Sequence, residues 1–99
     1  RSDHWRLDLE YDGHGFSGWQ LQPSQRTVQG EVEEALRRFL GHPVRVRAAG
    51  RTDAGVHAAH QVAVFETGVE RTVHGMRAGL NTHLPPDVAC WSARRLSER

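Results

Sequence analysis

Ninety-nine residues, 37% apolar and 25% charged, suit a single domain with one modest core. No apolar run approaches the roughly 20 residues of a membrane-spanning helix, no stretch reads as a signal peptide, and the single cysteine, Cys90, excludes an internal disulfide and fits a reducing, cytoplasmic setting. The net charge of +1 hides a bias: all 13 basic residues are arginine, the better fork for phosphate and a good partner for stacked bases, although a GC-rich genome alone would favour arginine. The chain opens on Arg1 instead of methionine, so an excerpt or a processed product is expected.

Trp5-Arg6-Leu7-Asp8-Leu9-Glu10-Tyr11-Asp12 alternates strictly. Trp5, Leu7, Leu9 and Tyr11 share one face of a half-buried strand, and Arg6, Asp8, Glu10 and Asp12 make its polar face. Gly13-His14-Gly15-Phe16-Ser17-Gly18 then spells G-x-G-x-x-G. A dinucleotide site would need a helix to open at the last glycine. Here Trp19 to Ser24 intervene, so the glycines serve a loop, and of Phe16 and Trp19 at least one is expected in the core. Thr27 reads as an N-cap, and Val28, Val32, Leu36, Phe39 and Leu40 recur at helical spacing up to the stop at Gly41 and Pro43. Glu31, Glu33 and Glu34 lie in the first half of that helix and Arg37 and Arg38 in the second, as the macrodipole favours, on a solvated face.

Val44-Arg45-Val46-Arg47-Ala48 predicts a second strand with Arg45 and Arg47 on its polar side. The connection from Gly50 to His60 is longer than the roughly 2–5 residues that a hairpin needs. Gln61 to Glu66 predicts a third strand, apolar enough for a central place in a sheet. Thr72 caps a second helix carrying Val73, Met76, Leu80 and Leu84, with Gly75 and Gly79 permitting close packing on the sheet. Pro85 and Pro86 end it, and Val88 to Ala93 predicts a fourth strand. The order βαββαβ is the ferredoxin-like arrangement: an α+β domain, residues 1–99, with two helices on one face of a four-stranded antiparallel sheet and the other face open. RNA-binding modules use such a face for bases.

Chemistry concentrates in the long loop. Arg51 and Asp53 lie two apart; a nearby guanidinium keeps a carboxylate ionised, and an ionised carboxylate can act as nucleophile or base. Gly50 and Gly55 permit backbone that other residues resist, and His57 can brace the loop by a hydrogen bond. The plainer alternative is an Asp-x-Gly turn whose aspartate accepts a local backbone hydrogen bond. His57 and His60, three apart, invite zinc, but Cys90, His74 and His83 add no ligand spacing. Cys90 sits in an apolar strand with no base assigned to it.

Arg51-Thr52-Asp53-Ala54-Gly55-Val56-His57-Ala58, followed by Gln61-Val62 and Phe65, resembles the catalytic motif of the tRNA pseudouridine synthase A family. Glu10 to Gly13, Phe16 and Gly18-Trp19-Gln20 are similar to its first-strand signature, Thr27-Val28-Gln29 to the opening of its first helix, and Asn81, Leu84-Pro85 and Asp87-Val88 to the approach to its fourth strand. The resemblance implies an isomerase that turns uridine into pseudouridine in the tRNA anticodon stem-loop, at positions 38 to 40, with no metal and no organic cofactor. It implies that Asp53 attacks the uridine and that Arg51 helps flip the nucleotide. The substrate-binding residues expected beside Asp53 are Arg51, Thr52, His57, Arg45 and Arg47. His60 stands where the family commonly has a small residue. The family's proteins are longer and carry a second related domain, so the chain is expected to be the N-terminal half of a homodimeric, membrane-free enzyme and to be incomplete by itself. The alternative is a non-catalytic ferredoxin-like module that only docks on tRNA.

Overall fold

The structure, a computed structural model, describes residues 2–50 and 53–96. Its elements are β1 (Asp3–Tyr11), a short 3-10 turn (Gly13–Gly15), α1 (Val28–Leu40), β2 (Arg47–Ala48), β3 (Ala58–Thr67), α2 (Val73–His83) and β4 (Val88–Leu96). The strands pair antiparallel in the order β2-β3-β1-β4. This is the ferredoxin-like α+β arrangement. Trp5, Leu7 and Leu9 from β1 and Ala63 and Phe65 from β3 pack with Val32 and Leu36 of α1 and Met76 and Leu80 of α2 in one core. The opposite face of the sheet is uncovered by either helix.

The helices begin where their caps place them. The Thr27 hydroxyl accepts from the Gly30 N–H at 3.1 Å, and that of Thr72 from Gly75 at 2.9 Å, each satisfying a donor that the first turn leaves unpaired. Gly41 ends α1 in the left-handed region, φ 88°, with its N–H on the Arg37 carbonyl. Glu34 and Arg37 pair on the exposed face at 2.7 Å, as expected of a solvated surface.

Five expectations need correction. The second strand has only two residues, Arg47 and Ala48, and the Val46 N–H just before it is taken by the Glu33 carboxylate at 2.8 Å. Glu33 is therefore not simply solvated: it also accepts from Gln29 at 3.0 Å and ties α1 to the sheet edge. The third strand begins at Ala58 and absorbs the far end of the expected loop, which leaves residues 49–57 as the connection. Asp8 is buried, not exposed with Glu10. Finally, Gly79 makes room for α1 and not for the sheet: its Cα faces the Phe39 ring with no space for a methyl group.

Candidate active site

Phe16 and Trp19 are both buried and pack with Tyr11, at centroid distances of 6.3 and 6.4 Å. They fasten the glycine loop onto the end of the sheet. Gly13 is needed for a close approach: a Cβ there would overlap the Val56 carbonyl group. The glycine loop thus supports a second loop and cradles no pyrophosphate.

That second loop, between β2 and β3, is anchored at Gly50 and again from Gly55 to His57. Gln61, buried in β3, donates from Nε2 to the Gly50 carbonyl at 2.7 Å. The Gly55 N–H donates to the Phe16 carbonyl at 3.2 Å. Val56 lies against Gly13, and the Gly13 N–H donates to His57 Nδ1 at 2.9 Å. The same Nδ1 stands 3.0 Å from the Asp12 carboxylate. One nitrogen cannot serve both at once. Unprotonated, it accepts from Gly13; protonated, it donates to Asp12. Asp12 Oδ1 also accepts from the His14 N–H at 3.0 Å.

Between these anchors the chain makes a tight turn. The Val56 N–H donates to the Asp53 carbonyl at 3.1 Å, and Gly55 takes φ 80°, the positive value that such a turn needs at its third residue. Asp53 closes the turn with its backbone. Its side chain is exposed and makes no hydrogen bond or ion pair among the described residues. The Asp-x-Gly turn of the plainer alternative is thus formed, with the Asp53 carbonyl as its acceptor, and it leaves the carboxylate unbonded among the described residues. Arg51 and Thr52 lie outside the described residues.

The scaffold extends to Asp87, which the motif before the fourth strand contains, and to a partner that no motif singled out, Arg26. Arg26 grips Asp87 with both Nη atoms, at 2.8 and 2.9 Å, holds Glu31 through Nε at 3.2 Å, and lies over the Phe16 ring at 4.2 Å. The Asp87 carbonyl receives the Asp12 N–H at 3.0 Å. The hydrogen bonds from Arg26 hold the Asp87 carboxyl below the usual range and raise the guanidinium in turn. Asp12, His57, Ala58 and Pro86 line a groove of about 510 Å³ at this end of the sheet.

Arg45 and Arg47 are exposed on either side of buried Val46. They line two other grooves, of about 410 and 310 Å³, away from the His57 groove. The site residues thus fall into two groups, Asp53 with His57 at one end of the sheet and the two arginines along the β2 edge. His57 and His60 turn to different partners, Gly13 and Asp8, and among the described residues no group of three or more His, Cys, Asp or Glu side chains could hold a metal ion. Burial pushes the Cys90 thiol up to about 11, so it is no nucleophile near neutral pH. No helix among the described residues is long and apolar enough to cross a membrane.

A family model described as tRNA pseudouridine synthase matches residues 9–97. The chain is 57% identical over 82 residues to the tRNA pseudouridine synthase A of Methylococcus capsulatus, covering 83% of this chain and 30% of that protein. It is 53% identical to that of Geobacter sulfurreducens, covering 89% and 36%, and 52% identical to that of a Methylobacterium species, covering 93% and 37%. The chain thus spans about a third of the length of these curated relatives.

Proposed function

The chain belongs to the tRNA pseudouridine synthase family, and from that premise we propose that it is the aspartate-bearing N-terminal half of an enzyme that converts uridine to pseudouridine in the anticodon stem-loop of tRNA, at positions 38 to 40, in the cytoplasm. The single observation that carries this reading is the Asp53 turn. A carboxylate with no partner among the described residues is presented at the apex of a loop that Gln61, Phe16, Gly13 and His57 hold in place. Such pre-organisation suits a group that must meet a reacting atom.

In the proposed reaction a carboxylate oxygen of Asp53 bonds to a carbon of the ribose or of the base. The bond between ribose C1′ and base N1 breaks, with its electron pair going to N1. The base turns, C5 bonds to C1′, the aspartyl bond is released, and the proton leaves C5 while N1 gains one. Nothing is added or lost overall, which suits a site without a metal or an organic cofactor. The uridine must leave its stack for any of this to happen. Arg51 would help extrude it and Thr52 would flank the reacting group. Arg45 and Arg47, exposed on the β2 edge, would hold phosphates. The second half of the protein would complete the cleft and make most of the contacts of a homodimer.

The test is conversion of an unmodified anticodon stem-loop by the full protein and by Asp53→Asn. The expected result is RNA binding by both and conversion by the native protein only. Conversion by Asp53→Asn would defeat the assignment, and binding without conversion by the native protein would favour a docking module.

A further inference from the structure

Two bulges lie next to each other on either side of β1. On the β4 side Asp8 pairs with Ser92 and Leu9 with Cys90, so Trp91 is the extra residue. On the β3 side Leu9 pairs with Gln61 and Tyr11 with Ala58, so Ala59 and His60 stand across from Glu10 alone. Bulges re-aim side chains, and these two bring His60 and Trp91 together, with ring centroids 5.0 Å apart and planes at 56°. His60 Nε2 is 2.7 Å from Asp8 Oδ1, and Arg6 donates to the same oxygen at 2.9 Å. The Asp8 side chain is 3% exposed, so the imidazole is pinned to a buried carboxylate. Trp91 is 49% exposed, although a large apolar surface of this kind costs free energy when left in water.

The surroundings are cationic. Directly paired residues share a face of a sheet. Arg6 pairs with Val64 and Arg94, and Val64 with Arg47, so three arginines cross the open face beside Asp8 and its two rings. Arg47 and Arg94 are exposed and have no ion pair among the described residues. We infer that His60 and Trp91 form a stacking platform for one unpaired nucleobase of the RNA substrate, separate from the Asp53 turn, with Arg47 and Arg94 taking the flanking phosphates. The occupant follows from chemistry: an indole face offered beside free guanidinium groups is complementary to a base joined to a phosphate. The inference rests on the reading of the chain as part of an RNA-modifying enzyme.

The test uses the full protein carrying Asp53→Asn, so that bound RNA is not converted. Trp5 and Trp19 are 0% and 2% exposed, so within this chain Trp91 is the indole that a base can reach. An unmodified stem-loop should quench an emission that Trp91→Phe removes. Trp91→Ala and His60→Ala should each weaken RNA binding about tenfold, within the range for the loss of one base stack, while Trp91→Phe stays within about threefold. Far-UV circular dichroism confirms that each variant folds. Trp91→Ala binding within about twofold of its parent, or RNA binding that leaves the Trp91 emission unchanged, overturns the platform. So does an emission already shielded from acrylamide before RNA is added, which would place another part of the protein on Trp91. If these results come with native conversion intact, only the platform fails. A native protein that neither binds nor converts the stem-loop removes the proposed function as well.

Discussion

The backbone of Gly13 lies against the backbone of Val56 with no room for a methyl group between them. The contact joins the first glycine loop to the turn that carries Asp53. Gly13→Ala must push the two loops apart, since neither backbone is a flexible side-chain tip. The expected stability loss is about 1–3 kcal/mol, as for an overpacked site, with the secondary structure kept. The larger effect is expected on turnover, where a displacement of about 1 Å can cost on the order of 100-fold. Single-turnover rates on a saturating stem-loop, compared with binding affinity, would register it; an unchanged rate would separate Asp53 from its scaffold.

Arg26 and Asp87 are partly exposed, with side-chain accessibilities of 38% and 27%, so the pair is discounted towards surface values. Asp87→Asn at neutral pH is expected to cost about 1 kcal/mol, or about 4–8 °C in melting temperature for a domain of this size. The deficit has a defined pH dependence. Hydrogen bonds from Arg26 lower the Asp87 carboxyl, so the folded chain binds its proton less readily than the unfolded one. The stabilisation is complete above the unfolded value, about 3.9, and fades as pH falls through the lower folded value. Asp8 behaves in the same sense. Burial alone would raise its carboxyl, but hydrogen bonds from His60 and Arg6 outweigh burial and hold it down. Melting curves of the native chain and Asp87→Asn should therefore run parallel from neutral pH down to about 5 and converge below about 4. A deficit that grows in acid would refute the linkage.

What the sequence disclosed follows from how local each signal is. The helix starts were legible because Thr27 and Thr72 act within three residues. The turn at Asp53 was legible because Gly55 must supply its positive φ. The tie of α1 to the β2 edge was not, because Glu33 takes the Val46 N–H from 13 residues away, a partnership invisible to alternation. The burial of Asp8 was hidden for the same reason: strict alternation marks it polar, and only the fold brings up His60, 52 residues on. Asp87 lies in a quoted motif, but its partner Arg26 is 61 residues away, and no local pattern pairs the two.

Gly79 and Phe39 set the distance between the helices. A Cβ on Gly79 would run into the Phe39 ring, which is also flanked by the Arg71 guanidinium at 5.0 Å and the His83 ring at 6.4 Å. Alanine in mid-helix would otherwise gain about 1 kcal/mol over glycine. The clash is expected to reverse that sign, giving Gly79→Ala a net loss of about 1–2 kcal/mol. Chemical denaturation of Gly79→Ala decides the matter, and the double variant Gly79→Ala/Phe39→Leu should recover part of the loss. A stabilised Gly79→Ala would mean that the ring swings aside freely.

Gly55 isolates backbone conformation from packing. It holds φ 80°, and a Cβ there would meet nothing within 4 Å, so a side chain is opposed only by the left-handed backbone. Its N–H is also the donor to Phe16, so relaxing the strain would release an anchor of the turn. Gly55→Ala is expected to cost about 1 kcal/mol, and most of that cost falls on the loop instead of the core. The turn would then present Asp53 correctly for only part of the time. In the full protein the expected signature is a lower kcat, roughly 5- to 10-fold for a strain of that size, with tRNA affinity nearly unchanged. Asparagine tolerates the left-handed region better than alanine, so Gly55→Asn should recover much of the lost rate although it is the larger residue. An order in which alanine outperforms asparagine would point to side-chain bulk, and would remove backbone conformation as the reason for glycine beside Asp53.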